Sequence, residues 1–105
     1  MLDPTTSLTV QARVPNPYVH VDNCGLILCN GLRCVCVPAS QLRTCAETFE
    51  IIAAEKRATR AQGPHLVGGY IDGGYVVLYA GTVDDLVSVS LNSSEFDSLR
   101  GVMAS

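Results

Sequence analysis

Residues 38–61, PASQLRTCAETFEIIAAEKRATRA, carry the one long helical pattern in a chain otherwise built from short strand patterns, so the rest has to fold around it. At roughly 100° per residue, Leu42, Cys45, Ala46, Phe49, Ile52 and Ala53 fall on one stripe, the face a core would take. Ser40 is the expected N-cap, because its hydroxyl can accept a bond from an unpaired first-turn N–H. Gly63-Pro64 is the expected stop. Glu47 and Glu50 come early and Lys56, Arg57 and Arg60 late, the order the helix dipole favours. Ile51 points away from the stripe, near Thr44, Thr48 and Ala58. It reads either as a single exposed isoleucine or as a contact for a partner or a second copy.

The flanking segments read as strands. Leu8 to Val14 alternates apolar and polar residues, Pro15-Asn16-Pro17 turns the chain, and Tyr18–Asp22 follows as a second strand. In GLILCNGLRCVCV, Asn30-Gly31 predicts a type I′ hairpin that pairs Cys29 with Leu32 and Ile27 with Cys34. Ile27, Cys29, Leu32, Cys34 and Cys36 then share one face, and Leu26, Leu28, Arg33, Val35 and Val37 the other. Both are apolar, which predicts a hairpin covered on both sides.

A second hairpin turns at Asp72-Gly73 or Gly73-Gly74. It sets Tyr70, Tyr75, Val77 and Tyr79 against Val67, Ile71, Val76 and Leu78. Gly68-Gly69 marks a bulge or the close approach of another backbone. Gly81 to Asp85 predicts a turn, Leu86 to Leu91 a strand or else a short helix capped by Thr82 and Asp85. Asn92-Ser93-Ser94-Glu95 opens a C-terminal helix carrying Phe96, Leu99, Val102 and Met103.

The expected order is therefore ββββαβββα in one domain, residues 1–105: an α+β fold with a mostly antiparallel sheet of about seven short strands. One long helix packs across that sheet, and a short helix ends the chain. In layout alone this resembles profilin-like or PAS-like domains, with no motif to carry the likeness further.

A net charge of −3 disfavours a dedicated nucleic-acid binder, which usually shows a basic stripe. The balance is uneven. Residues 62–105 carry only Arg100 against Asp72, Asp84, Asp85, Glu95 and Asp97. No apolar run approaches the ~20 residues that span a bilayer, and MLDPTTSLTV lacks the pattern of a secretory signal, so a cytoplasmic protein starting at Met1 is expected. Five cysteines in a reducing compartment are expected as free thiols.

Two groups could carry chemistry. His20, Asp22 and Cys24 alternate on one strand face, where a histidine oriented by a carboxylate could activate a thiolate. Cys29, Cys34 and Cys36, joined by Cys45 from the helix, could supply four thiolates, although Cys34-x-Cys36 is a poor chelating step. The glycine pairs are no phosphate loop, and no cofactor fingerprint is present, so no cofactor is expected.

The favoured reading is a non-enzymatic protein-interaction module, either an inhibitor docking on a larger protein, as phages and mobile elements encode, or a self-associating scaffold such as a homodimer. Its candidate contacts are Ile51, Tyr70, Tyr75, Tyr79, Asp84 and Asp85. The alternative is a thiol- or metal-dependent activity at His20/Asp22/Cys24 or at the inner cysteines.

Overall fold

A computed structural model describes the backbone of residues 8–11 and the whole of residues 18–104. Strand β1 (Leu8–Gln11) is followed by β2 (Tyr18–Asp22), β3 (Gly25–Asn30) and β4 (Arg33–Pro38). A 3₁₀ turn (Ala39–Gln41) leads into α1 (Leu42–Glu55). Then come β5 (Thr59–Ala61), β6 (Leu66–Asp72), β7 (Tyr75–Thr82), β8 (Asp85–Asn92) and α2 (Ser93–Met103). The expected end of the first strand at 12–14 and the turn at 15–17 lie outside the described residues.

The α+β class holds, with antiparallel pairing throughout, but the single sheet does not. The strands form two four-stranded meanders, β1-β2-β3-β4 and β5-β6-β7-β8. Residues 82–91 settle as turn and strand, with β8 starting at Asp85. The extra strand is β5, taken from what the sequence pattern assigned to the helix. α1 stops at Lys56, whose φ of 55° is left-handed and whose N–H donates to the Ile52 carbonyl at 3.0 Å. Thr59, Arg60 and Ala61 then pair with Gly69, Gly68 and Val67. Locally these residues can continue a helix; pairing with β6 overrides that preference.

The helix stripe is buried as its spacing predicts: Cys45, Phe49 and Ile52 are in the core, with Leu42, Ala46 and Ala53 packed against it. Burying Phe49 and Ile52 stabilises the fold by about 1.5–3 kcal/mol each. Thr48, expected on the open face, is buried as well, its hydroxyl donating to the Thr44 carbonyl at 2.8 Å. Ser40 is not the N-cap; it lies in the 3₁₀ turn, and no side chain caps α1. The start of α1 is held instead by buried Gln41. Its Nε2 donates to the His65 carbonyl at 2.8 Å, and its Oε1 accepts the His65 N–H at 3.1 Å.

The first hairpin turns at Gly31-Leu32, so Cys29 pairs with Cys34 and Asn30 with Arg33. Gly31 has φ +67° and Leu32 does not have positive φ, the pattern of a type II′ turn rather than I′. The pairing moves by two residues, so the predicted faces survive. Leu26, Leu28 and Val37 are buried, but on the opposite face Cys34 and Cys36 are exposed. The hairpin is covered on one side, not two.

The second hairpin turns at Gly73-Gly74, both with positive φ, and keeps the predicted faces. Its inner positions Val67, Val76, Leu78 and Ala80 join Val87, Val89 and Leu91 of β8. With Val19, Val21, Leu26, Leu28 and Val37 of the first sheet and both helices, they make one hydrophobic cluster. α1 follows the first sheet in the chain but packs on β5 and β6 of the second, while α2 lies on β7, β8 and β1. A capping box opens α2: Asn92 Oδ1 accepts the Glu95 N–H and Glu95 Oε1 accepts the Asn92 N–H, each at 2.8 Å. Among the described residues, no helix is long and apolar enough to cross a membrane.

Candidate functional site

Among the described residues, three of the six exposed large apolar side chains lie near the Gly73-Gly74 end of the β6–β7 hairpin. Tyr70, Ile71 and Tyr75 are 42%, 39% and 39% exposed there. Ile71 is an inner-face residue by register, paired with buried Val76, yet it is left open beside the end of α1. Ile71 and Tyr75 stand at the mouth of a cleft of about 400 Å³ whose walls include Ile52, Ala53 and Phe96. On the helix side, a groove of about 330 Å³ between α1 and α2 is lined by Ala46, Phe49, Ile51 and Met103.

Glu50 and Arg100 border both hollows. Arg100 reaches Glu50 through Nη2 at 2.9 Å and Nε at 3.2 Å, and Asp97 through Nη1 at 2.7 Å. Its guanidinium carbon also lies 5.6 Å from the Phe96 ring centre. Hydrogen bonding to Glu50, with its charge and that of Asp97, raises the Arg100 pKa above its ordinary value. Arg100 is thus ion-paired to both carboxylates at the border of the cleft.

The six candidate contacts do not form one patch. Tyr75 lines the cleft, and Ile51, half-buried rather than fully exposed, lines the groove beyond the Glu50–Arg100 bridge. Tyr70 and Tyr79 pack on the outer face of the second sheet, their rings tilted by 42° with centres 6.5 Å apart. Tyr79 serves the fold: a Cβ on its register partner Gly68 would lie 2.5 Å from the Tyr79 hydroxyl oxygen, so the ring covers that glycine. Gly69 is where the second close approach occurs, against Ile52 and the Val77 carbonyl. The tyrosine platform is thus partly spent on the sheet.

Asp84 and Asp85 lie at the far end of β7, in the turn at 83–84 and the first position of β8. Asp85 is ion-paired to Arg33. Arg33 Nη2 also donates to the Leu86 carbonyl at 3.1 Å, and Asn30 Nδ2 to the Ser88 carbonyl at 2.9 Å. The tip of the first hairpin therefore covers part of the open edge of β8. Sequence reasoning missed this contact, and also Leu32 and Val83, which are 104% and 84% exposed at the two tips. A turn placed at Gly31-Leu32 rather than Asn30-Gly31 exposes Leu32 at once. Nothing local marks Val83.

The chemical alternatives are only partly assembled. His20 Nε2 lies 2.9 Å from Asp22 Oδ2, while Asp22 Oδ1 accepts the Cys24 N–H at 2.7 Å. Asp22 thereby closes the turn at 23–24, and these bonds, that from His20 foremost, lower its pKa. The bond from Cys24 is a backbone one, and its thiol is exposed at that turn. The four-thiolate cluster does not exist. Cys45 is buried in the core, while Cys34 and Cys36 are exposed on the far face of the first sheet. Cys24, Cys36 and Cys45 are free, but Cys29 and Cys34 are joined by a disulfide, contrary to the expectation of five free thiols. Among the described residues, no three His, Cys, Asp or Glu side chains converge to hold a metal ion.

Comparison with models of protein families, with curated proteins and with solved structures gives no match to this chain.

Proposed function

We propose that the chain is a non-enzymatic protein-interaction module that takes an apolar side chain of another protein into the cleft between α1, α2 and the β6–β7 hairpin. The observation that carries this reading is the pair Ile71 and Tyr75, large apolar side chains left open at the rim of a hollow whose walls include Ile52, Ala53 and Phe96. The charges lining the cleft, Glu50 and Asp97 with Lys56 and Arg100, balance one another, so the apolar walls rather than net charge select the occupant. The chain's net charge of −3 argues against a nucleic acid in that place.

The test is a photo-crosslinking side chain at position 71, with one at Ser90, an exposed residue of β8, as control. A discrete product at 71, absent at 90 and lost when Tyr75→Ala is added, supports the docking cleft. A product of twice the chain's mass identifies the occupant as a second copy, hence a scaffold; a heterologous product identifies a partner that the chain could inhibit. Equal labelling at both positions, or none at either, rejects the cleft.

A further inference from the structure

The Cys29–Cys34 disulfide lies outside the surfaces used above, and its two cysteines are unequally exposed. The cysteines are direct register partners on β3 and β4, with Cα atoms 4.1 Å apart. Cys29 is buried, 1% exposed, whereas Cys34 is exposed. β4 is the outer strand of its sheet. Beyond Cys34 the sheet ends, whereas β2 lies beyond Cys29, with Tyr18 its register partner there.

Thiol–disulfide exchange needs a thiolate to approach one sulfur in line with the bond it breaks, so access selects the sulfur attacked. We infer that Cys34 is a reversible thiol-exchange site for small thiols of the cysteine or glutathione class. A thiolate RS⁻ attacks Cys34 Sγ, the R–S–Sγ bond forms, and the Cys29–Cys34 bond breaks. Cys29 Sγ leaves with the electron pair and takes a proton. A second thiolate then attacks the R sulfur and releases the Cys34 thiolate and the disulfide RSSR. The two steps together move two electrons from two small thiols to the protein's disulfide.

The hairpin does not depend on this bond for its register. Leu26, Leu28 and Val37 fix it from the buried face, so exchange can proceed in the folded protein. Cys45 takes no part, since burial in the core pushes its thiol up to about 12.

The experiment uses the full chain carrying Cys24→Ser and Cys36→Ser, which removes the other two exposed thiols without touching the core. The oxidised protein is incubated with reduced glutathione, quenched with acid and mapped by mass spectrometry. The expected result is one glutathionyl group on Cys34 and none on Cys29, with an unchanged circular-dichroism spectrum, and full reversal when glutathione is removed under mild oxidation. Four results would overturn the proposal: an adduct on Cys29, reaction only after denaturant is added, loss of the native spectrum on exchange, or isolation of the native protein with no disulfide.

Discussion

Gly69 is the most sensitive probe of how α1 sits on the second sheet. A Cβ built there would lie 2.8 Å from the Val77 carbonyl oxygen, 2.9 Å from Leu78 Cδ2 and 3.0 Å from Ile52 Cδ1. Two of these atoms belong to the neighbouring strand and one to the helix. Gly69→Ala must therefore push the helix away from the sheet or distort the ladder, an overpacking change that costs about 1–3 kcal/mol. On a total stability of about 5–15 kcal/mol this is readable by urea unfolding, and for a chain of this size each ~1 kcal/mol lowers Tm by roughly 4–8 °C. Ile52→Val removes the Cδ1 atom in question and alone costs about 0.5–1.5 kcal/mol. In the double variant the alanine methyl occupies the space that Cδ1 vacated. The pair should then cost less than the sum of the singles by at least ~0.5 kcal/mol, the remainder being the carbonyl clash that no side chain can relieve. Additive losses, or a Gly69→Ala variant as stable as the parent, would refute the packing of α1 against β6 at this point.

Two further outcomes follow from named groups. Asn92→Ala removes the acceptor of the Glu95 N–H and should cost about 1 kcal/mol in urea unfolding, whereas Ser94→Ala on the same turn should cost far less. Cys45 should resist alkylation until the protein is unfolded, while Cys24 and Cys36 react in the native state. Because its thiol is raised from 9.0 to about 12, the native state keeps that proton when the unfolded state has lost it. The associated stability is thus complete below pH 9 and is lost as pH rises towards 12. Across that window the parent should lose about 1.4 kcal/mol per pH unit more than Cys45→Ala, and equal slopes would contradict the burial.

The parts of this fold that were legible in the sequence are those decided within one element. The stripe from Leu42 to Ala53, the two faces of the β6–β7 hairpin and the capping box at Asn92 each follow from local periodicity or side-chain reach. What was illegible depends on distant partners. Lys56-Arg57-Ala58 continues a helix as readily as it leaves one, and only the pairing of Thr59–Ala61 with β6 decides the matter. Asn30-Gly31 is the stronger local turn signal, but Asn30 instead stays in β3 and donates to the Ser88 carbonyl, 58 residues away. The cysteines were misjudged for the same reason: a two-residue change in pairing puts Cys34, not Leu32, opposite Cys29. At the candidate site, Tyr75 was legible as part of the aromatic face it shares with Tyr70. Ile71 was not, because its exposure comes from where the helices end rather than from its own strand.

The division into two sheets exposes an order that the residue pattern hides. Each half of the chain is four antiparallel strands followed by a helix. The turns at 23–24 and 31–32 recur at 73–74 and 83–84, with little residue likeness between the halves. Arg33 and Asp85 open the last strand of each half, so their ion pair joins equivalent positions. Neither half is self-sufficient. The first leaves Leu26, Leu28 and Val37 without a helix of its own, since α1 has gone to β5 and β6. The second needs α1 to cover Gly69. A sheet with one apolar face has to bury it against something, and here each half supplies part of the other's cover. Phe49 and Phe96, one from each helix, close the seam at 6.1 Å between ring centres. The Glu50–Arg100 bridge crosses the same seam at the surface. The two apolar hollows flank that bridge because the helices, coming from different halves, meet there along a line rather than merging into one layer.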